Sequence, residues 1–364
     1  MVGYRSALAA GTVLMCLLVV SSSLQVMMVA AAAGARPPAM FVFGDSTLDV
    51  GNNNYLPGRP FYGIDFPGAV ATGRFSNGYN IADYLARSMG FRCSPPPYLS
   101  LAPSTGRLVQ VAVGGGNAGN NIPLSKQVEY FRSTKSQMVA KLGTRAANLL
   151  LAKSVFLFSV GSKDLFVFAI AEKKQNKSAA DLNSDVAALY ASLVSGYSAA
   201  VQELHALGAR KLAVINVGLL GYVPAARLDD AAGACSGALN QLASGFDDAL
   251  ASMLAGLASS RLRRPGFAYS LTDYYGLSAA TFDDPRAVGY TDIAGACCGG
   301  GRLSAEAPCL PNATVCANRD QHAFWDAVHP SQRGAMLTAQ NFYDSRPGRY
   351  TAPVNFKQLA HTSL

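Results

Sequence analysis

Ala39-Met40-Phe41-Val42-Phe43-Gly44-Asp45-Ser46 is the stretch from which the fold is read. An unbroken apolar run, rich in aromatic residues, stops at a glycine. That pattern belongs to a short strand buried on both faces, not to one with a solvated side. It returns at 154–160, which ends at Gly161, and at 211–217, which ends at Gly218. Residues 108–113, running into Gly114-Gly115-Gly116, and residues 267–271 read as two further strands. Helical patterns lie between them over 81–89, 179–207 and 238–257. Doubly buried strands alternating with helices specify an α/β fold, with a parallel sheet covered on both sides. No linker divides the chain after the N-terminus, so residues 36–364 are expected to form one domain.

In open α/β sheets ligands bind beyond the carboxyl ends of the strands. Attention therefore falls on Gly44-Asp45-Ser46, Gly114-Gly115, Gly161-Ser162-Lys163-Asp164 and Gly218. Ser46 leaves its strand through a glycine, which exposes the side chain on a tight turn. A serine hydroxyl is a poor nucleophile unless a base stands beside it, and a serine after a strand is commonly only a helix cap. Asp326-Ala327-Val328-His329 supplies the missing partner. If these residues lie on one helical turn, positions i and i+3 share a face. The carboxylate then accepts from His329 Nδ1–H and leaves Nε2 for a serine. The plainer reading of the pair is a surface ion pair or a cap. His322 is a rival base but has no carboxylate three residues upstream; His205 falls inside a helical pattern and His361 in the C-terminal tail.

Composition narrows the partners. Half of the residues are hydrophobic and 14% are charged, enough for a sizeable core. The net charge of +8 is scattered; its densest cluster, Arg261, Arg263 and Arg264, reads as a solvated helix end. With no aromatics spaced for base stacking, no nucleic-acid partner is expected. At the N-terminus, Arg5 precedes apolar stretches at 7–20 and 26–33. Ala31, Ala33 and Ala35 then match the small-residue cleavage pattern. Residues 1–35 read as a signal peptide, the alternative being an uncleaved anchor. No later run is long enough to span a bilayer, so no stable membrane insertion is expected after cleavage. The protein is expected to be secreted, to the extracellular space or cell wall.

Six cysteines follow the leader. They suggest up to three disulfides, and adjacent Cys297 and Cys298 each pair elsewhere. Without a C-x-x-C pair, and with four histidines in all, a zinc site is poorly supported. No metal or other cofactor is expected. Asn176 and Asn312 begin glycosylation sequons.

Taken together, Phe43-Gly44-Asp45-Ser46 and Asp326-x-x-His329-Pro330 resemble the GDSL esterase/lipase family of SGNH hydrolases in its plant secreted form. The resemblance extends to Tyr62-Gly63-Ile64-Asp65-Phe66-Pro67, to the run from Thr72 to Gly78, to the run from Ile122 to Gln127, and to Gly208-Ala209-Arg210-Lys211. Cys297-Cys298-Gly299 and Phe324-Trp325-Asp326 match as well. The family implies a flavodoxin-like, three-layer α/β/α sandwich around a central parallel sheet, a serine nucleophile with an Asp-His pair, and no metal. It implies a small-molecule or lipid ester as substrate. Its oxyanion hole carries over to the N–H of Ser46 and that of Gly115, with Gly114 the one-residue alternative. The third donor, an asparagine in Gly-x-Asn-Asp, is replaced here by Lys163. Loss of one such donor costs about 10²–10³ in turnover, although lysine is itself a donor. A second departure is Leu219-Leu220-Gly221-Tyr222, where the family commonly has Pro-x-Gly-Cys.

Three rival functions share these residues. Gly114-Gly115-Gly116-Asn117-Ala118-Gly119 has the form of a dinucleotide fingerprint. Against it, Pro123 is expected to interrupt the helix that should follow, and no acidic residue stands about 20 residues on. A catalytically weakened or inactive secreted binding protein on the same fold is the reading that Lys163 favours. Acyl transfer to an alcohol other than water shares the acyl-enzyme step.

Overall fold

The computed structural model describes residues 36–52, 62–101, 122–175, 177–260, 266–310 and 313–363. The expected leader, the expected strand 108–113 with Gly114 and Gly115, the sequon residues Asn176 and Asn312, and Arg261, Arg263 and Arg264 lie outside the described residues.

Among the described residues a five-stranded sheet organises the molecule, in the order β1 (Met40–Gly44), β2 (Val155–Ser159), β3 (Lys211–Val214), β4 (Ala268–Thr272), β9 (Thr351–Ala352). The first four strands are parallel, and β9 runs antiparallel to β4. Side chains alternate between the two faces of each strand, and here both faces are buried. Phe41 and Phe43 of β1, Phe156 and Phe158 of β2 and Val214 of β3 enter one core. That core is closed by α2 (Leu124–Leu142), α3 (Thr144–Lys153), α5 (Ala179–Ala206) and α7 (Gly237–Ser259). Met40, Val42, Val155, Leu157 and Ala213 enter the opposite core, closed by α1 (Ile81–Ser88), α9 (Gln332–Asp344) and α10 (Phe356–His361). The result is a three-layer α/β/α arrangement. Phe41, Phe43, Phe131, Phe156 and Phe158 interlock, with ring centroids 4.9–6.3 Å apart. Each fully buried ring contributes about 1.5–3 kcal/mol by leaving water.

The expected strands at 39–43, 154–160 and 267–271 match β1, β2 and β4 to within two residues, and the helices at 81–89, 179–207 and 238–257 match α1, α5 and α7. The third strand is shorter than the expected 211–217. Ile215 N–H still donates to Phe158 O, but Asn216 turns out of the sheet. Its amide oxygen accepts from Thr272 Oγ1 (2.9 Å) and Tyr274 N–H (2.7 Å), and its amide nitrogen donates to Asp247. One polar residue with three partners ends an otherwise apolar run. Pro123 occupies the N-cap of α2, which begins only at Leu124; the fingerprint run 114–119, where the dinucleotide helix would have started, lies outside the described residues.

A smaller unit sits at the carboxyl end of the sheet. There β5 (Asp292–Ala296) pairs with β8 (His322–Phe324), and β6 (Cys298–Gly299) pairs with β7 (Thr314–Val315). Cys297 bridges to Cys316, and Cys298 to Cys309, so each adjacent cysteine does pair elsewhere. Cys93 and Cys235 are free, leaving two disulfides. Tyr222 stands against Cys235 at the position where the resemblance implied a cysteine.

Candidate active site

The turn after β1 is built by a close approach that only glycine allows. A Cβ on Gly44 would stand 2.8 Å from Ser159 O and 3.1 Å from Leu48 Cβ. Asp45 N–H extends the ladder by donating to Ser159 O, and Asp45 Oδ1 accepts from Thr47 N–H (3.0 Å). That side-chain turn is an alternative to continued strand. It leaves Ser46 at the strand's carboxyl end, 9% exposed. Asp45 Oδ2 has no hydrogen-bond partner, and the carboxyl is raised above the usual carboxylate range by burial.

Asp326 and His329 meet Ser46 from the far end of the sequence. His329 Nδ1 lies 2.7 and 2.9 Å from the two carboxylate oxygens of Asp326, and its Nε2 lies 2.7 Å from Ser46 Oγ. An ionised carboxylate can only accept. The proton therefore sits on Nδ1, and Nε2 accepts from the serine hydroxyl. Both residues are buried.

The expected helical turn is absent. Residues 325–329 form a loop after β8, with no helical assignment. Asp326 Oδ1 accepts from the N–H groups of Val328 (2.9 Å) and His329 (2.7 Å), and Trp325 N–H donates to His329 O. The three-residue spacing thus works through an aspartate-centred loop, which the local competition between Asp side chains and backbone favours over helix. Burial by itself would raise Asp326, but the charge and hydrogen bonds of His329, with the two backbone donors, hold it below the usual carboxylate range.

Two further side chains seat this pair. Tyr62 donates its hydroxyl to Asp326; burial first, then that carboxylate's charge, raises the phenol. Phe75 stacks on the His329 ring, with centroids 4.8 Å apart and planes 16° from parallel. The rival histidines are elsewhere. His322 lies in β8, 3.7 Å from Asp292; His205 lies in α5; His361 bonds to the Lys357 carbonyl in α10.

Lys163 lies in the first turn of α4 (Ser162–Lys173), which follows β2. Gly161 caps that helix at φ 127°, and a Cβ there would sit 2.7 Å from Phe246. Because β1 and β2 pair through Gly44 and Ser159, Lys163 emerges at the same sheet edge as Ser46. Gly115, the second expected oxyanion donor, lies outside the described residues.

Sequence reasoning used Tyr62, Phe75 and Gln127 only as parts of recognised runs, without a role. Gln127 proves to clamp the turn that carries Ser46. Its amide oxygen accepts from Gly44 N–H (2.9 Å), and its amide nitrogen donates to Gly44 O (3.0 Å) and Ile122 O (2.9 Å).

With this geometry in hand, comparison with known proteins is direct. The sequence model of the GDSL-like Lipase/Acylhydrolase family matches residues 40–342. A GDSL esterase/lipase of Arabidopsis thaliana is 35% identical over 352 residues, covering 89% of this chain and 90% of that protein. A second from the same plant is 33% identical over 344 residues, covering 89% of each. The structure of the lipase Lip_vut3 from a goat rumen metagenome aligns at 12% identity and a TM-score of 0.38, over 83% of this chain and 94% of that one. On the family match and the two plant relatives, the chain belongs to the GDSL-like lipase/acylhydrolase family.

Proposed function

We propose that this chain hydrolyses carboxylic esters through an acyl-enzyme on Ser46. The observation that carries the reading is the continuous contact from Asp326 through His329 to Ser46 Oγ. Ser46 Oγ attacks the ester carbonyl while His329 Nε2 takes its proton. Asp326, kept ionised, orients the imidazole and stabilises its charged form. The N–H groups of Ser46 and Gly115 hold the oxyanion, with Lys163 as a third donor in place of the family's asparagine. His329 then gives its proton to the departing alcohol. Water enters, loses a proton to His329, and releases the acid from Ser46. Residues 1–35 act as a secretory leader to a single domain, and the two disulfides suit an oxidising compartment.

A fluorophosphonate probe tests this directly. Labelling of the wild type that disappears in Ser46→Ala is expected. A folded wild type that takes no label overturns the reading in favour of a binding protein on the same fold, the alternative that Lys163 motivates.

A further inference from the structure

The fold gathers charges that the sequence spreads out. No acidic residue occurs between Glu129 and Asp164, a stretch that carries Arg132, Lys135, Lys141, Arg145 and Lys153 before Lys163. None occurs between Glu203 and Asp229, a stretch that carries Arg210 and Lys211. The two stretches meet at one end of the sheet. Val155 and Lys211 are register partners at the start of β2 and β3, so Lys153 and Arg210, just before them, emerge at the amino edge, opposite the carboxyl edge that carries Ser46. There α3 lies against the turn before β3, where a Cβ on Gly208 would stand 3.3 Å from Leu151 Cβ. Burial first, then the charge of Arg210, lowers the Lys135 ammonium, and burial followed by the charge of Lys153 lowers that of Lys211. Glu203, the carboxylate nearest to Arg210 in sequence, is taken by Arg132. Among the described residues no ion pair joins Lys135, Arg145, Lys153 or Arg210 to a carboxylate.

The outer face of α3 is not purely basic. Arg145, Leu149 and Lys153 recur at the four-residue spacing of one helix face, and all three are exposed, while Ala147 and Leu151 enter the core. Leu149 is 55% exposed; at the end of α2, exposed Lys141 adjoins Leu142, which is 38% exposed. Leucines framed by cations limit the partner. A nucleic acid or an acidic polysaccharide would meet the cations and leave the leucines in water. A second copy of this chain would cover the leucines but set like charges against each other. A surface of anionic phospholipid satisfies both: its headgroups attract the cations, and the leucines enter the boundary between headgroups and acyl chains.

We propose that α3 and the end of α2 form a docking face for an anionic phospholipid surface, with Ser46 turned away from that surface. Among the described residues no helix is long and apolar enough to cross a bilayer, so the protein rests on the lipid by this face without spanning it. Esters then reach Ser46 from the aqueous side. The docking face does not depend on Ser46 being a nucleophile.

Co-sedimentation of the purified protein with vesicles tests the assignment. It is expected to sediment with phosphatidylcholine and phosphatidylglycerol mixed at about 3:1, not with phosphatidylcholine alone, and to be released as NaCl rises from about 0.05 to about 0.5 M. Each cation near such a surface contributes roughly fivefold in affinity, so the double variant Arg145→Glu, Lys153→Glu should bind at least about tenfold more weakly. Leu149→Ser should bind about fivefold more weakly through lost apolar burial. Circular dichroism verifies the fold of both variants. No binding to the mixed vesicles, or binding that the double charge reversal leaves intact, overturns the proposal. Binding that Leu149→Ser leaves intact, with polygalacturonate held as tightly as the vesicles, overturns it in favour of an acidic polymer. A dimer in sedimentation velocity that Leu149→Ser dissociates overturns it in favour of a second copy. Ser46→Ala should bind the vesicles as the wild type does, whether or not the wild type takes a fluorophosphonate; weaker binding by Ser46→Ala places the carboxyl edge on the lipid and overturns the orientation.

Discussion

Gln127→Glu is the perturbation that examines the nucleophile's turn most closely. Among the described residues β1 pairs with one neighbouring strand, β2. On its other side the buried Gln127 amide replaces a strand partner at Gly44, two residues before Ser46. Glutamate keeps the shape but changes the donors. One carboxylate oxygen still accepts from Gly44 N–H, while the other faces the carbonyls of Gly44 and Ile122 with nothing to donate. Two buried acceptors lose a partner at about 1–3 kcal/mol each, so the ionised variant should lose roughly 2–6 kcal/mol of stability. Protonation restores one donor. The site therefore prefers neutral glutamate and raises its pKa above the ordinary value of about 4.3. A folded pKa raised above the unfolded one means that the native state holds the proton more tightly. Stability relative to wild type should then be best below about pH 4.3, and should fall as pH rises through the window up to the raised value. Urea unfolding of both proteins from pH 4 to pH 8, with disulfides intact, measures the difference. A deficit below about 1 kcal/mol that does not change with pH would refute the clamp.

Three other outcomes follow from the same contacts. Lys163→Asn restores the family's oxyanion donor and should raise kcat on a short-chain p-nitrophenyl ester at least about tenfold, a conservative fraction of one donor's worth; an unchanged kcat removes Lys163 from the mechanism. Tyr62→Phe deletes the hydroxyl that donates to Asp326 and should lower kcat about 2- to 10-fold with little change in KM, as one net hydrogen bond would. A changed KM with kcat intact would place Tyr62 in substrate binding instead. Asp49 is fully buried, and burial raises its carboxyl to about 6. Folding then favours its protonated form, so Asp49→Asn should gain on the wild type by about 1.4 kcal/mol per pH unit as pH climbs from about 4 to about 6. A flat difference across that range, read from unfolding midpoints, contradicts the assignment.

What the sequence revealed, it revealed through local pattern. Strands buried on both faces announce themselves as apolar runs, and β1 and β2 were legible because only Ser159 interrupts those runs before their glycines. The strand at 211–217 misled because Asn216 sits in an apolar run, and only its partners on β4 and α7 explain why it turns away. Ser46, Asp326 and His329 were legible from residue type and spacing, although the spacing pointed to a helix and the chain made a loop. Tyr62, Phe75 and Gln127 carried no periodic signal. Each acts across the fold, as in the 83 residues that separate Gln127 from Gly44. Adjacency alone implied that Cys297 and Cys298 bridge apart, but not to which partners.

The same long-range contacts explain how the proposed nucleophile and base, 283 residues apart in sequence, stay within 2.7 Å. Cys297 N–H and Cys298 N–H donate to Phe324 O and Trp325 O, so the disulfide unit grips the chain just before Asp326. Just after His329, Gln332 N–H donates to Asn77 Oδ1, and Gln332 Oε1 accepts from Tyr79 N–H. Asn77 in turn bonds to Asp65, which Arg319 holds through two nitrogens. The segment from Tyr62 to Asn80 therefore ties the base's loop to the nucleophile's half of the molecule. It also supplies Tyr62 and Phe75 to the pair itself. Because catalysis rewards groups fixed before the substrate arrives, this strap is as much part of the catalytic geometry as the three residues that touch. Many contacts hold Asp326 and His329, whereas on the proposed oxyanion side the departure from the family's pattern is the exchange at Lys163. Changes along the strap, Tyr62→Phe among them, are therefore expected to lower the rate, and a gain in rate is expected at Lys163.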